Sequence, residues 1–362
     1  MSSQTSPQAS TQEAPSLLGD FSEETFRAAI HQVADWIVDY RSRLDERSIS
    51  SSTLPGEVSA RLPDDLPELG APIESILKDF QKLILPHLVH WGHPAFLGYF
   101  GSTTTAPGIL GEMIAAALNV SAMTWRTSPA ATELETVVLE WLRRMLDLPE
   151  TFSGVVYDTA SVATLHALAA ARESLNYDIR THGLSDRPEI PRLRIYASDQ
   201  AHSSIVKAAI TLGIGEMNVQ RIPSDDLYRM DLERLKESVE RDRRAGFLPV
   251  AVVAMVGTTS SAAVDPIPGI ARFCRAQNIW LHVDAAYGGA MALLPEGKHL
   301  MEGVEAADSV VVNPHKWLFV PLDFSTLYIT RPELLRAVFS LVPEYLRGDA
   351  EQGEINYMDY GI

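Results

Sequence analysis

This sequence predicts an α/β protein with a mostly parallel central sheet covered by helices on both faces, and three observations carry that reading. From about residue 105 onward, amphipathic helical stretches alternate with short β-rich runs. The runs, "GVVYD", "LRIYAS", "VQRIPS", "VAVVAMVG", "IWLHVDA", "SVVVNP" and "STLYIT", are short and largely apolar, as strands of a sheet covered on both faces are. Finally, 46% of the 362 residues are hydrophobic, enough for a large buried core.

The elements follow in order. Residues 1–19 are rich in Ser, Gln, Thr and Pro and read as a disordered tail, lacking the basic start and apolar middle of a signal peptide. Phe26, Ile30, Val33, Ile37 and Tyr40 recur at helical spacing, which predicts an amphipathic helix over 21–44. A Pro- and Gly-rich connector covers 50–72, and a second helix is expected over 73–85, ending at Pro86. We expect residues 20–104 to form a helical arm that engages a partner subunit, and 105–362 to form the large domain. Its predicted helices are 132–146, 161–177, 203–212, 231–245, 267–277 and 332–341.

Composition narrows the function. A formal charge of −17 argues against nucleic acid or an anionic membrane as partner, and no apolar run is long enough to span a bilayer. The single Cys274 rules out an intrachain disulfide and a cysteine zinc site, so a cytoplasmic setting is the default expectation.

In open α/β sheets, ligands sit beyond the carboxyl ends of the strands. Four runs there lead to polar groups: Asp284, His202, Lys316, and the Thr159-Ala160-Ser161 start of a helix. Each has an ordinary alternative, since carboxylates form turns, "DTAS" is a common helix cap, and lysine usually lies over apolar surface with a solvated tip. Lys316 nevertheless sits between three valines and "WLFV", in a chain with six lysines against 24 arginines. Together the four supply what pyridoxal phosphate requires. A helix N-terminus seats phosphate, a carboxylate holds a proton on the pyridine nitrogen, and a desolvated lysine offers a neutral amine to the aldehyde.

The motifs "SPAATELE", "SDQAHSS", "MVGTT", "HVDAAYGG" and "NPHKWL" occur in that order and resemble the group II amino-acid decarboxylases. That family has fold type I and depends on pyridoxal phosphate, and the likeness is nearest its aromatic L-amino-acid branch. It implies that Lys316 bonds the cofactor, Asp284 partners its ring nitrogen and His202 stacks on its ring. It also implies phosphate contacts from Ala160, Ser161 and Asn313, with Thr259 near the cofactor and His315 beside the lysine. The aromatic substrate pocket would fall on Trp91, Tyr99 and Phe100, with Met123 reaching in from the neighbouring subunit of a homodimer. Tyr345 would return a proton to the substrate's α carbon.

Departures limit the transfer: "YFG" stands where many members read "YFP", and Ser121, Met123 and Val162 replace commoner residues. The chain ends at "NYMDYGI", where members continue into a C-terminal domain, so it reads as a fragment, a truncated gene product or part of a longer protein. Alternatives are an aldehyde synthase that decarboxylates and oxidatively deaminates, a decarboxylase of an acidic amino acid, and an inactive truncated homologue. A metal hydrolase using His202, His282, Asp284 and His315 is set aside on the expectation that His282 and Asp284 face opposite sides of their strand.

Overall fold

The computed structural model describes residues 20–68, 70–341 and 354–362. The expected tail and Tyr345 lie outside the described residues. Packing divides the chain into two compact units, Met1–Leu97 and Gly98–Ile362.

In the first unit, α1 spans Glu23–Ser42, and Ser22 Oγ caps it by accepting the Thr25 N–H at 3.2 Å. The second expected helix is cut short. Regular α2 covers only Ile73–Asp79, followed by a wide turn at Phe80–Ile84 and a 3-10 turn at Leu85–His87. Pro86 explains the break, because it has no N–H to donate and its ring crowds the carbonyl four residues back. Among its described residues, the 50–72 connector is irregular apart from one 3-10 turn at Ser59–Arg61.

The second unit opens with α3, Ala106–Leu118, which the sequence reading does not include. Its residues, "APGILGEMIAAAL", are nearly all apolar and so present no two-sided pattern. Then come α4 (Pro129–Met145), β1 (Ser153–Tyr157), α5 (Ala160–Glu173), α6 (Ile179–His182), β2 (Leu193–Ser198) and α7 (Ser204–Thr211). The chain continues through β3 (Val219–Ile222), α8 (Leu232–Arg244), β4 (Leu248–Met255), α9 (Ile267–Gln277) and β5 (Trp280–Asp284). It closes with β6 (Ser309–Val312), α10 (Pro314–Trp317), β7 (Ser325–Ile329) and α11 (Pro332–Phe339).

The seven strands form one sheet in the order β1-β7-β6-β5-β4-β2-β3. β2 to β6 are mutually parallel, and β7 runs antiparallel to both β6 and β1. Two antiparallel steps restore direction, so β1 runs with β6 and delivers the start of α5 to the same edge as the ends of β2, β4, β5 and β6. The expected mostly parallel sheet is therefore present, reversed only at β7.

Side-chain alternation fills two layers. Val252, Ala254, Val310 and Val312 pack with Leu142, Leu235, Ile270 and Cys274 from α4, α8 and α9. Ala251, Val253 and Val311 pack on the other side with Ala163, Ala167, Ile205 and Leu335 from α5, α7 and α11. Burial pushes the Cys274 thiol up to about 12, which leaves it as packing.

Candidate active site

Lys316 is mounted on α10, just beyond β6. Its backbone N–H donates to the Asn313 carbonyl at 3.0 Å, which closes a tight turn, and its Nζ lies 4.7 Å from the centroid of the Phe100 ring. Burial lowers the pKa of its amine, while the Asp284 carboxylate works in the opposite direction. Asp284 ends β5, is 5% exposed, and accepts the Ala286 N–H at 3.1 Å.

His202 follows β2 and opens onto solvent, yet the surrounding protein still lowers its pKa; Asp284 raises it, and Lys316 and Lys207 lower it further. Asp284 ends β5, and His202 and Lys316 follow the parallel strands β2 and β6, so all three stand at one edge of the sheet. The Ser204 N–H donates to His202 Nδ1 at 3.2 Å, so the neutral ring carries its proton on Nε2.

On β1's side, Thr159 caps α5, its Oγ1 accepting the Val162 N–H at 3.4 Å. Ala160 and exposed Ser161 are the first helical residues, whose N–H groups have no acceptor within the helix. A helix start of this kind can accept an anion.

Asn313 and His315 are both 4% exposed and engage each other, the Asn313 amide lying 3.1 Å from His315 Nε2. Ser325 Oγ lies 2.7 Å from the same amide, and the Phe324 N–H donates to His315 Nδ1 at 2.9 Å. Ser102 Oγ donates to the His315 carbonyl at 3.1 Å. Ser102, Ser325 and the Phe324 backbone thus buttress the lysine turn, and the sequence reading missed them. The one available signal was a serine at the start of a strand run.

Other expected residues are less central. Tyr99 has a left-handed backbone (φ 54) and is 86% exposed, while its neighbour Phe100 turns toward Lys316. Trp91 belongs to the first unit, where it stacks on Phe96 at 5.4 Å. Met123 is exposed, and its carbonyl accepts the Met358 N–H at 3.0 Å. Thr259 is exposed on a turn built by buried Thr258, whose Oγ1 accepts the Ala263 N–H at 3.0 Å.

The expectation that His282 and Asp284 face opposite ways is wrong. Residues two apart on a strand share a face. Leu281, Val283 and Ala285 fill one layer, and His282 and Asp284 share the other. The metal reading fails for another reason: His282 is fully buried, with Nδ1 2.9 Å from Ser309 Oγ and Nε2 3.5 Å from Thr164 Oγ1. Among the described residues, no group of three or more His, Cys, Asp or Glu side chains is placed to hold a metal ion.

The donor set fits pyridoxal phosphate: a partly desolvated amine, a buried carboxylate, a flat ring with an N–H donor, and a helix start free to bind an anion. Comparison with known proteins agrees. The model of the pyridoxal-dependent decarboxylase conserved domain matches residues 55–362. Aromatic-L-amino-acid decarboxylase of Sus scrofa is 39% identical over 345 residues, covering 92% of this chain and 70% of the relative. Phenylacetaldehyde synthase of Petunia hybrida is 38% identical over 349 residues, covering 94% and 68%. The crystal structure of Oryza sativa TDC with PLP and tryptamine superposes with a TM-score of 0.88 at 36% identity, covering 94% of this chain and 71% of that one.

Proposed function

The chain belongs to the pyridoxal-dependent decarboxylase family and is a carboxy-lyase that uses pyridoxal phosphate, and from that premise we propose that it converts an aromatic L-amino acid to the corresponding amine and carbon dioxide. The observation that carries the substrate class is the Phe100 ring set against Lys316 Nζ, an aromatic wall at the reacting amine.

When bound, the cofactor supplies an electron sink for the pair left behind when the substrate's carboxylate bond breaks. Lys316 holds it through Nζ and is available as a neutral amine because burial disfavours the ammonium. Asp284 holds a proton at the pyridine nitrogen, and the first N–H groups of α5, at Ala160 and Ser161, bind the phosphate. Asn313 and His315 hold the lysine turn in place. His202 would stack on the cofactor ring, with its Nε2–H available as a donor. Tyr345 returns one proton to the α carbon, which balances the loss of carbon dioxide. Phe100, Tyr99 and Met123 would supply the apolar recognition, and Thr259 would lie near the cofactor.

The similarity to the Petunia synthase supports a second reading, decarboxylation with oxidative deamination. One experiment separates the two: aromatic amino acids are incubated with the loaded enzyme, and amine, ammonia and hydrogen peroxide are measured. Amine without peroxide supports the proposal, and peroxide with ammonia and no amine rejects it.

We further propose a homodimer. Leu110, Ile114 and Leu118 form an exposed stripe along α3, and α4 exposes Leu134 and Trp141. Apolar surface of this extent marks an interaction face, and a second copy would cover it. No helix among the described residues is long and apolar enough to cross a membrane. A cytoplasmic location is our reading from the single buried Cys274.

A further inference from the structure

His166 sits midway along α5, 0% exposed, in a helix whose other buried residues are mostly alanines. Burying an imidazole there is costly unless both nitrogens are satisfied. Both are. Nδ1 lies 2.7 Å from the Val162 carbonyl, which can only accept, so Nδ1 carries the proton. That leaves a lone pair on Nε2, to which the Ile362 N–H donates at 3.2 Å. The ring stacks on Tyr157 at 4.4 Å and packs against Phe339 at 4.5 Å.

The neighbours tighten the same joint. The Tyr157 hydroxyl donates to the Tyr360 carbonyl at 2.5 Å, and Ser340 Oγ donates to buried Asp359 at 3.0 Å. A Cβ at Gly361 would fall 2.9 Å from both His166 Nε2 and Tyr157 Cε1, so this close approach needs glycine. His166 therefore touches Phe339, the last residue of α11, and Ile362 at once. These two stretches flank the part of the chain that contains Tyr345.

We propose that His166 is a positioning residue whose neutral ring joins the end of α11 to residues 359–362 and so fixes both flanks of the stretch carrying Tyr345. The proposal rests on the reading of Tyr345 as the proton donor. Protonating the ring would set a second N–H against that of Ile362 and open the joint. Burial opposes this by lowering the histidine's pKa, while Asp158, at the turn between β1 and α5, favours it. The other titratable and charged groups facing this region are Tyr157 on β1, Asp359 and Tyr360, and Arg336 of α11, which lies 3.8 Å from Asp359.

The test uses the cofactor-loaded enzyme and the variants His166→Leu and His166→Gln. Leucine keeps the apolar volume; the glutamine carboxamide can both donate to Val162 and accept from Ile362. In His166→Leu we expect faster amide hydrogen exchange in residues 336–341 and 354–362. We also expect a kcat lowered roughly 10- to 100-fold, the cost of a small misplacement, with KM and the absorbance of the bound cofactor unchanged. His166→Gln should restore both exchange and kcat, and in a Tyr345→Phe background His166→Leu should cost no further activity. Unchanged exchange in His166→Leu would overturn the proposal. A normal kcat in Tyr345→Phe alone would overturn the reading of Tyr345 instead, and exchange would still decide the joint.

Discussion

Nζ of Lys316 lies over the face of the Phe100 ring, 4.7 Å from its centroid. Two influences meet at this amine. Burial disfavours its ammonium form, while the ring's negative face and Asp284 favour it. Phe100→Leu keeps the apolar contact and removes the ring, forfeiting about 0.5–2 kcal/mol of cation stabilisation. The pH midpoint for cofactor uptake by the stripped enzyme should then fall by about 0.4 to 1.5 units. An unmoved midpoint would assign Phe100 to packing alone.

His202 offers a second test, because the Ser204 N–H fixes its tautomer. His202→Phe preserves a flat ring and removes the Nε2–H donor. We predict normal cofactor absorbance and a kcat reduced about 100-fold, within the range for a lost acid-base group. An unchanged kcat would mean that the ring only stacks.

His282 makes stability depend on pH. Burial drives its pKa from 6.5 to about 4. The unfolded chain therefore binds the extra proton first, and stability rises with pH across this interval. The contribution is complete above about pH 6.5 and is lost as pH falls toward 4, with a ceiling of roughly 3 kcal/mol. Urea midpoints should decline over that window and decline less steeply in His282→Asn. Equal slopes would contradict this account.

The exposed stripe on α3 predicts that Leu110→Glu combined with Ile114→Glu shifts the protein to monomer mass in light scattering, because charges cannot be buried against a second copy. A dimer that survives both substitutions would place the interface elsewhere.

The seven strands were legible because their runs are apolar and bounded by breakers, and the strand ends pointed to Asp284, His202 and Lys316. Helix α3 was not, since a helix without a polar face carries no periodicity. Tyr99 and Phe100 are adjacent, the first with a left-handed backbone and the second with its ring against the lysine, a difference that no local pattern marks. Thr258 and Thr259 divide in the same way between a buried turn-former and an exposed neighbour. Ser325 reaches Asn313 across a strand pair, and His166 reaches Ile362 across 196 positions. Contacts between distant residues leave no local pattern to read.

The central claim is that Lys316 carries the cofactor. The direct measurement is borohydride reduction of the loaded enzyme followed by peptide mass mapping. The account predicts a pyridoxyl group on the peptide containing Lys316, and none on Lys207 or Lys298. A label on another lysine, or protein that takes up no cofactor, would contradict it.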